Sequence, residues 1–122
     1  MTIPTTMTQI SQQMRTCIDT CLDCSAICQE TIMHCLQRGG RHADPNHLRL
    51  LMDCSHICQT SGSFMLRSSN FYWQLCGICA DVSNQCAQSC EQLSDDQQMK
   101  DCAEVCRRTS QLCQQMSSGT RM

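Results

Sequence analysis

Large aromatic side chains are scarce in this chain of 122 residues, which has two phenylalanines, one tyrosine and one tryptophan. A core built on aromatic rings is therefore excluded. The chain also lacks an excess of basic residues, since its nine lysines and arginines are scattered and the net charge is −2. Domains that bind nucleic acid carry a concentrated basic surface, so we expect no nucleic-acid partner.

Long apolar runs and leader motifs are missing as well. No stretch approaches the ~18 apolar residues of a membrane-spanning helix. The N-terminus shows no basic region followed by an apolar run and no twin-arginine motif. We therefore expect a cytoplasmic protein without a membrane partner, in which thiols stay reduced. A glycine-rich phosphate loop and a helical H-E-x-x-H are absent too, which argues against an enzyme.

Cysteine is abundant instead, with fourteen residues in the chain. The first five are separated by four, three, four and seven residues. This spacing places them on one face of a helix, where a bundle normally carries leucine and isoleucine. The same stripe returns in three later segments. The fourteen candidate metal ligands are Cys17, Cys21, Cys24, Cys28, Cys35, Cys54, Cys58, Cys76, Cys79, Cys86, Cys90, Cys102, Cys106 and Cys113.

Glycine, aspartate and proline mark the predicted helix boundaries in the first half of the chain. We predict a flexible tail over residues 1–7 and a first helix from about Thr8 to about Arg38. Gly39-Gly40 ends this helix, since glycine favours the residue after a helix. After a short loop, residues 41–43, Asp44-Pro45 predicts the cap and first turn of a second helix.

The second half is divided in the same way. Residues 68–70 predict a turn and cap, and the third helix should run to about Leu93. Residues 94–97 resemble a capping box before a fourth helix, and residues 117–122 should fray. Short connections between helices of about 20–30 residues favour an all-α, antiparallel up-down-up-down four-helix bundle with a cysteine-lined core. We expect residues 1–122 to form one domain.

Several uses of a thiol core can be compared. Reduced cysteine packs as a small hydrophobe, but thiols at most inward positions would leave a core under-filled. Disulfides are disfavoured by the parallel side chains of one helix face and by a reducing compartment. Iron–sulfur clusters and structural zinc use cysteine spacings in loops. Here the two C-x-x-C motifs, at residues 21–24 and 76–79, lie inside helical patterns.

The charge balance of a thiolate core favours a soft monovalent metal ion. Thiolates select Cu(I), zinc or iron–sulfur clusters. The inward faces offer no lysine or arginine, so the metal itself must neutralise the thiolates. About one Cu(I) per thiolate leaves the core nearly neutral, whereas each zinc tetrathiolate carries about two negative charges in a dry interior. We predict that several Cu(I) ions bind. A general buffer for Zn, Cd or Ag, or a redox-responsive thiol scaffold, remains the alternative.

The arrangement resembles the bacterial copper storage proteins, particularly their cytosolic type. The resemblance covers about residues 15–116 and is carried by the cysteine run of residues 17–35, the Cys54/Cys58 pair and the paired steps of residues 76–90. It implies a homotetramer of four-helix bundles that stores Cu(I) and holds free copper low. The implied partners are copper ions, with a copper chaperone or a small-molecule copper ligand as candidate source.

Five stripe positions where a thiol is expected carry another residue: Thr31, His47, Ser83, Met99 and Thr109. Hydroxyl groups are poor Cu(I) ligands, so Thr31, Ser83 and Thr109 should each remove a site or leave room for water. Imidazole and thioether do bind copper, and His47 and Met99 are therefore further candidate ligands.

Copper entry is predicted at the end of the bundle that the first and third connections share. That end should gather Cys35, His47, Cys90, Met99 and Cys102, with His34 and His42 nearby. The opposite end should gather bulky side chains that close it, namely Met14, Met65, Tyr72 and Met116. We interpret His34 and His56 as solvated surface residues, and a solvated and a copper-binding role both stay open for His42.

Overall fold

A computed structural model describes residues 10–93 and 95–119. Its helices are α1 (Gln12–Arg38), a 3₁₀ helix (Gly40–Ala43), α2 (Pro45–Leu66), α3 (Tyr72–Glu91) and α4 (Gln97–Gly119). Within the described ranges no residue lies in a strand. Helix α1 packs on α2 and α4, and α3 packs on the same two helices. The predicted up-down-up-down bundle is therefore confirmed.

Helix α1 starts later than the sequence pattern suggested. Ser11 is its N-cap, because the Ser11 hydroxyl accepts a hydrogen bond from the Met14 amide at 3.1 Å. The predicted start near Thr8 is thus wrong, and Thr8 and the predicted tail lie outside the described residues. The predicted end is confirmed, since Gly39 has a positive φ of 69° and its amide donates to the Cys35 carbonyl.

The first connection is more regular than predicted. Residues 41–43 do not form a loop but belong to the 3₁₀ helix. The predicted start of α2 is confirmed, with Pro45 in the first turn. An Asp44 carboxylate oxygen accepts from the amides of Asn46 and His47, at 3.1 and 3.4 Å. This cap orients the first turn of α2, in which His47 lies.

The second connection forms the predicted turn but not the predicted cap. Ser68 has a positive φ of 52°, and the Ser69 hydroxyl accepts from the Phe71 amide. The residue that precedes α3 is Phe71, which supplies no side-chain cap. Helix α3 also ends at Glu91 rather than near Leu93.

The third connection is closed by Asp96 instead of a capping box. Asp96 directly precedes α4, and its Oδ1 accepts from the Met99 amide at 2.9 Å. Ser94 lies outside the described residues. Helix α4 continues to Gly119. Residues 120–122 lie outside the described residues, and fraying of residues 117–122 stays a prediction. None of the described helices is both long and apolar enough to span a bilayer.

Helices α1 and α2 approach each other closely at Gly62. A Cβ atom at this buried position would lie 3.3 Å from Leu22 Cδ2. The α1 turn at Cys21 and Leu22 therefore packs closely on α2, and only the end of the Leu22 side chain would have to shift for such a Cβ. This approach brings the thiol stripes of the two helices together.

Candidate metal centre

All fourteen cysteines are buried and none forms a disulfide. Their stripes point into the bundle from all four helices, as the spacing predicted. Among the described residues no lysine or arginine is buried with them. The core therefore contains thiols without a cationic side chain to balance their ionisation.

The central cluster consists of Cys24 and Cys28 from α1, Cys54 from α2 and Cys106 from α4. Their four sulfur atoms all lie within 4.8 Å of one another. Cys24 lies 3.8 Å from Cys54 and 3.8 Å from Cys106, and the Cys54–Cys106 distance is 4.0 Å. Thiolates that share one tetrahedral ion at about 2.3 Å are about 3.8 Å apart. The cluster can therefore bind soft metal ions without movement of the backbone.

A second cluster lies toward the end of the bundle where α1 begins. Cys17 and Cys21 are 3.7 and 3.5 Å from Cys113, and the three sulfurs form a compact group. Next to it, Cys58 lies 3.6 Å from Cys79 and 3.9 Å from Cys54. Through Cys58 and Cys54 the thiols of α3 are therefore connected to the central cluster.

The opposite end carries a mixed set of ligands. The Cys35 sulfur lies 3.4 Å from His47 Nε2 and 3.7 Å from the Met99 sulfur. His47 and Met99 are both buried. His47 Nδ1 lies 2.7 Å from the Ser89 hydroxyl, which orients the imidazole. Ser89 was not predicted from the sequence, because it lies off the stripe of α3.

Three further thiols are buried in the same core. Cys86, Cys90 and Cys102 are fully buried. Hydrogen bonds from Cys106, Cys28, Cys86 and Cys90 lower the pKa of Cys102. Of the predicted residues at this end, the structure thus brings Cys35, His47 and Met99 into direct contact and places Cys90 beside Cys102.

The hydroxyl residues on the stripes are fully buried. Thr31 and Thr109 donate to the carbonyls of Ile27 and Val105, four residues earlier in their helices. Ser83 differs, because its oxygen lies 3.6–3.8 Å from the sulfurs of three cysteines. These are Cys54, Cys58 and Cys79. The threonine hydroxyls are therefore engaged with the backbone, while Ser83 interrupts the thiol network.

At the far end Met65 is fully buried and lies 3.7 Å from the Cys76 sulfur. Met116 is buried, and Met14 and Tyr72 are partly buried against the same core. The bulky side chains predicted for this end therefore do pack there.

The histidines outside the stripes differ from the prediction in one case. His34 is only partly solvated, because its side chain is 28% exposed and its Nε2 lies 3.0 Å from Asp96 Oδ2. His42 is buried and its Nε2 lies 3.0 Å from the same oxygen. His56 is exposed, as predicted. From the sequence Asp96 was expected only as part of a cap, since nothing in its local pattern indicates two histidine partners.

Ionisation of the thiols follows from burial and from their hydrogen bonds. Burial, with the nearby charges of Asp96 and Cys102, raises the pKa of Cys35 to about 11. Burial lowers the pKa of His47, so its imidazole is neutral and able to bind a metal. In the central cluster, hydrogen bonds from neighbouring thiols lower the pKa of Cys54 and raise that of Cys106. Burial disfavours further thiolates, because each would add a negative charge to a region of low dielectric, and a bound metal ion would offset that charge.

The chain also matches the model of a known family. The model of the family described as copper storage protein matches residues 10–118. The chain belongs to the copper storage protein family.

Solved structures of copper storage proteins and related chains share the fold of this family member. A protein of Nitrosospira multiformis, Nmul_A1745, is 44% identical, with a TM-score of 0.83 over 88% of this chain and 96% of that one. The Cu(I)-bound Bacillus copper storage protein BsCsp3 is 28% identical, with a TM-score of 0.81 over 88% and 100%. A cytosolic copper storage protein of Streptomyces lividans, with five coppers, is 26% identical, with a TM-score of 0.77 over 88% and 94%.

Proposed function

We propose that this protein stores Cu(I) and holds free copper low. The observation that carries the proposal is the set of fourteen buried, unbridged thiols contributed by all four helices. Each thiol that binds Cu(I) releases one proton, so a thiolate–Cu(I) unit is neutral overall. The core formed by the described residues buries no lysine or arginine, and it can accept many such neutral units, because no net charge accumulates in a region of low dielectric.

The proposed ligands are the fourteen cysteines together with His47 and Met99. The thiol clusters support this assignment because sulfurs 3.5–4.0 Å apart can share or bridge soft ions. His47 and Met99 are included because both contact the Cys35 sulfur. The three residues form a candidate site with thiolate, imidazole and thioether ligands at one end of the bundle.

We place copper entry at this same end. A surface cleft of about 520 Å³ lies between the first connection and the C-terminal part of α3, and His47, Ser89 and Asp44 help to line it. His47 therefore stands between the cleft and Cys35. A neutral imidazole at this position can pass Cu(I) from an external ligand to the thiols without burying a charge.

The remaining parts of the proposal concern the cellular setting. Family membership favours a protein without catalytic activity, and the cytosolic Streptomyces relative favours a cytoplasmic location. We also propose one domain over residues 1–122 and a homotetramer, the assembly implied by the resemblance in cysteine pattern. A copper chaperone or a small-molecule copper ligand would supply the metal.

Anaerobic titration of the fully reduced protein against competing chelators tests the function. With about one ion per thiolate, we expect uptake of on the order of 10–14 Cu(I) per chain. Saturation at one to four ions would contradict storage and indicate a discrete site. A parallel titration with Zn(II) tests the alternative of a general soft-metal buffer, for which Zn(II) would compete on equal terms.

A further inference from the structure

Three metal-ligating side chains meet outside the thiol core. His34 projects from the end of α1, His42 from the 3₁₀ helix, and Asp96 immediately precedes α4. Both Nε2 atoms lie 3.0 Å from the same Asp96 oxygen, Oδ2. The three ligand atoms all lie within 4.8 Å of one another. Residues from three separate segments therefore converge on one point.

The spacing suits a single ion. A first-row divalent ion binds imidazole nitrogen and carboxylate oxygen at about 2.0–2.2 Å. With bonds of this length, a nitrogen–oxygen distance of 3.0 Å corresponds to a ligand–metal–ligand angle of about 94°. This angle is close to octahedral, and an increase of about 0.3 Å in the distance would make it tetrahedral. Both nitrogen–oxygen distances therefore suit one shared ion.

The ligand set differs chemically from the thiol core. Two imidazoles and a carboxylate favour borderline divalent ions, whereas Cu(I) prefers the soft sulfur ligands inside the bundle. The His42 and Asp96 side chains are only 8% and 14% exposed, which limits competition from water. A cleft of about 610 Å³, lined in part by His42 and Arg38, connects the cluster to solvent.

Arg38 is the one cation that competes for the carboxylate in this cluster, among the residues described. Its Nη1 lies 3.2 Å from Asp96 Oδ2, and its Nη2 lies 3.6 Å from an Asp95 oxygen. The Arg38 and Asp95 side chains are 46% and 66% exposed. The guanidinium can therefore swing fully onto Asp95 and leave Asp96 to an incoming ion.

We propose that His34, His42 and Asp96 bind one divalent transition-metal ion of the Zn(II) or Co(II) class, with water completing its coordination. Each imidazole binds through Nε2 with its proton on Nδ1, and the carboxylate binds through Oδ2. Asp96 Oδ1 keeps its hydrogen bond to the Met99 amide. The ion would cross-link α1, the 3₁₀ helix and α4 beside the Cys35–His47–Met99 end. This site does not depend on Cu(I) storage.

Co(II) is the probe, because its absorption spectrum separates sulfur from nitrogen and oxygen ligands. Reduced protein, both metal-free and after anaerobic addition of Cu(I), is titrated with CoCl₂. We expect one Co(II) per chain with weak d–d bands and no intense thiolate-to-cobalt band in the Cu(I)-treated sample. His42→Gln and Asp96→Asn should each weaken binding at least tenfold, and His56→Gln, at an exposed histidine, should leave it unchanged.

Asp96→Asn keeps a capping side chain, since asparagine is a good N-cap, and circular dichroism checks the fold of each variant. If Asp96→Asn does not fold, His42→Gln and His34→Gln carry the test. Absence of Co(II) binding, or binding that His34→Gln and His42→Gln leave unchanged, would overturn the proposal. Cu(I) uptake is read separately from the copper titration, so failure of storage and failure of this site are distinguishable.

Discussion

His47→Ala is the sharpest test of how copper reaches the core. His47 contacts Cys35 at 3.4 Å, is oriented by Ser89 at 2.7 Å and helps to line the cleft at this end of the bundle. The substitution removes the imidazole but leaves every thiol in place. We therefore expect slower Cu(I) loading and slower extraction by a chelator, with little change in capacity.

The size of the effect follows from the interactions that the imidazole makes. One ligand among sixteen candidates disappears, so capacity should fall by one Cu(I) at most. A relay interaction that lowers the transfer barrier by about 1 kcal/mol, the scale of one hydrogen bond, corresponds to about a fivefold change in rate. The variant also lacks the hydrogen bond to Ser89, and we expect its unfolding free energy to fall by about 1–3 kcal/mol.

Stopped-flow transfer of Cu(I) from a coloured chelate under anaerobic conditions measures both rates. Met99→Ala should change the rates in the same direction but more weakly, because the Met99 side chain contacts Cys35 without lining the cleft. The control is Met65→Ala, at the far end beside Cys76. It should leave the rates nearly unchanged, unless the cavity it creates opens that end. If His47→Ala leaves both rates unaltered while Met65→Ala changes them, entry lies at the opposite end.

Three further outcomes are expected. Reduced apo protein should already show a helical circular dichroism spectrum that Cu(I) barely changes, because neutral thiols are tolerated in the core; a coil that folds only with metal would contradict this. Gly62→Ala should raise the unfolding free energy of the apo protein, measured in urea, by about 0.5–1 kcal/mol, because alanine favours the helix more than glycine does. The half-exposed Leu22 side chain can shift by a few tenths of an ångström to make room. A loss of stability would show that the α1–α2 contact is rigid. Burial alone would raise the pKa of Asp96, but hydrogen bonds from His34, the Met99 amide and His42 outweigh this effect and lower the pKa to about 2. Stability should therefore fall as pH drops from about 4 to about 2, and Asp96→Asn should flatten this dependence; an unchanged pH profile would refute the role of the carboxylate.

The helical bundle could be predicted because its signal is periodic. Cysteines three, four and seven residues apart share one helix face whatever surrounds them, so each stripe was identifiable from residue spacing alone. Gly39 and Pro45 act through their own backbone preferences and Asp44 through its capping carboxylate, and they end and begin helices where predicted. The stripes also predicted that the helices bury thiols, and not lysine or arginine, in the core.

Helix boundaries set by competing caps were less predictable. Ser11 rather than a residue near Thr8 caps α1, and Asp96 rather than a capping box precedes α4. Several polar residues near each boundary could accept hydrogen bonds from the free amides of the first turn. The position of that turn in the tertiary structure decides which of these residues becomes the cap. Near its end α4 also approaches α3, since a Cβ atom on Gly77 would lie 3.0 Å from Ser117 Oγ.

Only the tertiary structure decided which side chains from distant segments meet. His34, His42 and Asp96 have no shared spacing in the chain, yet the bundle places their ligand atoms around one carboxylate oxygen. Ser89 orients His47, and α1 and α2 approach each other closely at Gly62, for the same reason. A sequence determines local periodicity and therefore which face of each helix carries sulfur. Contacts between helices depend on their relative rotation and height, and these are set by the packing of the whole bundle.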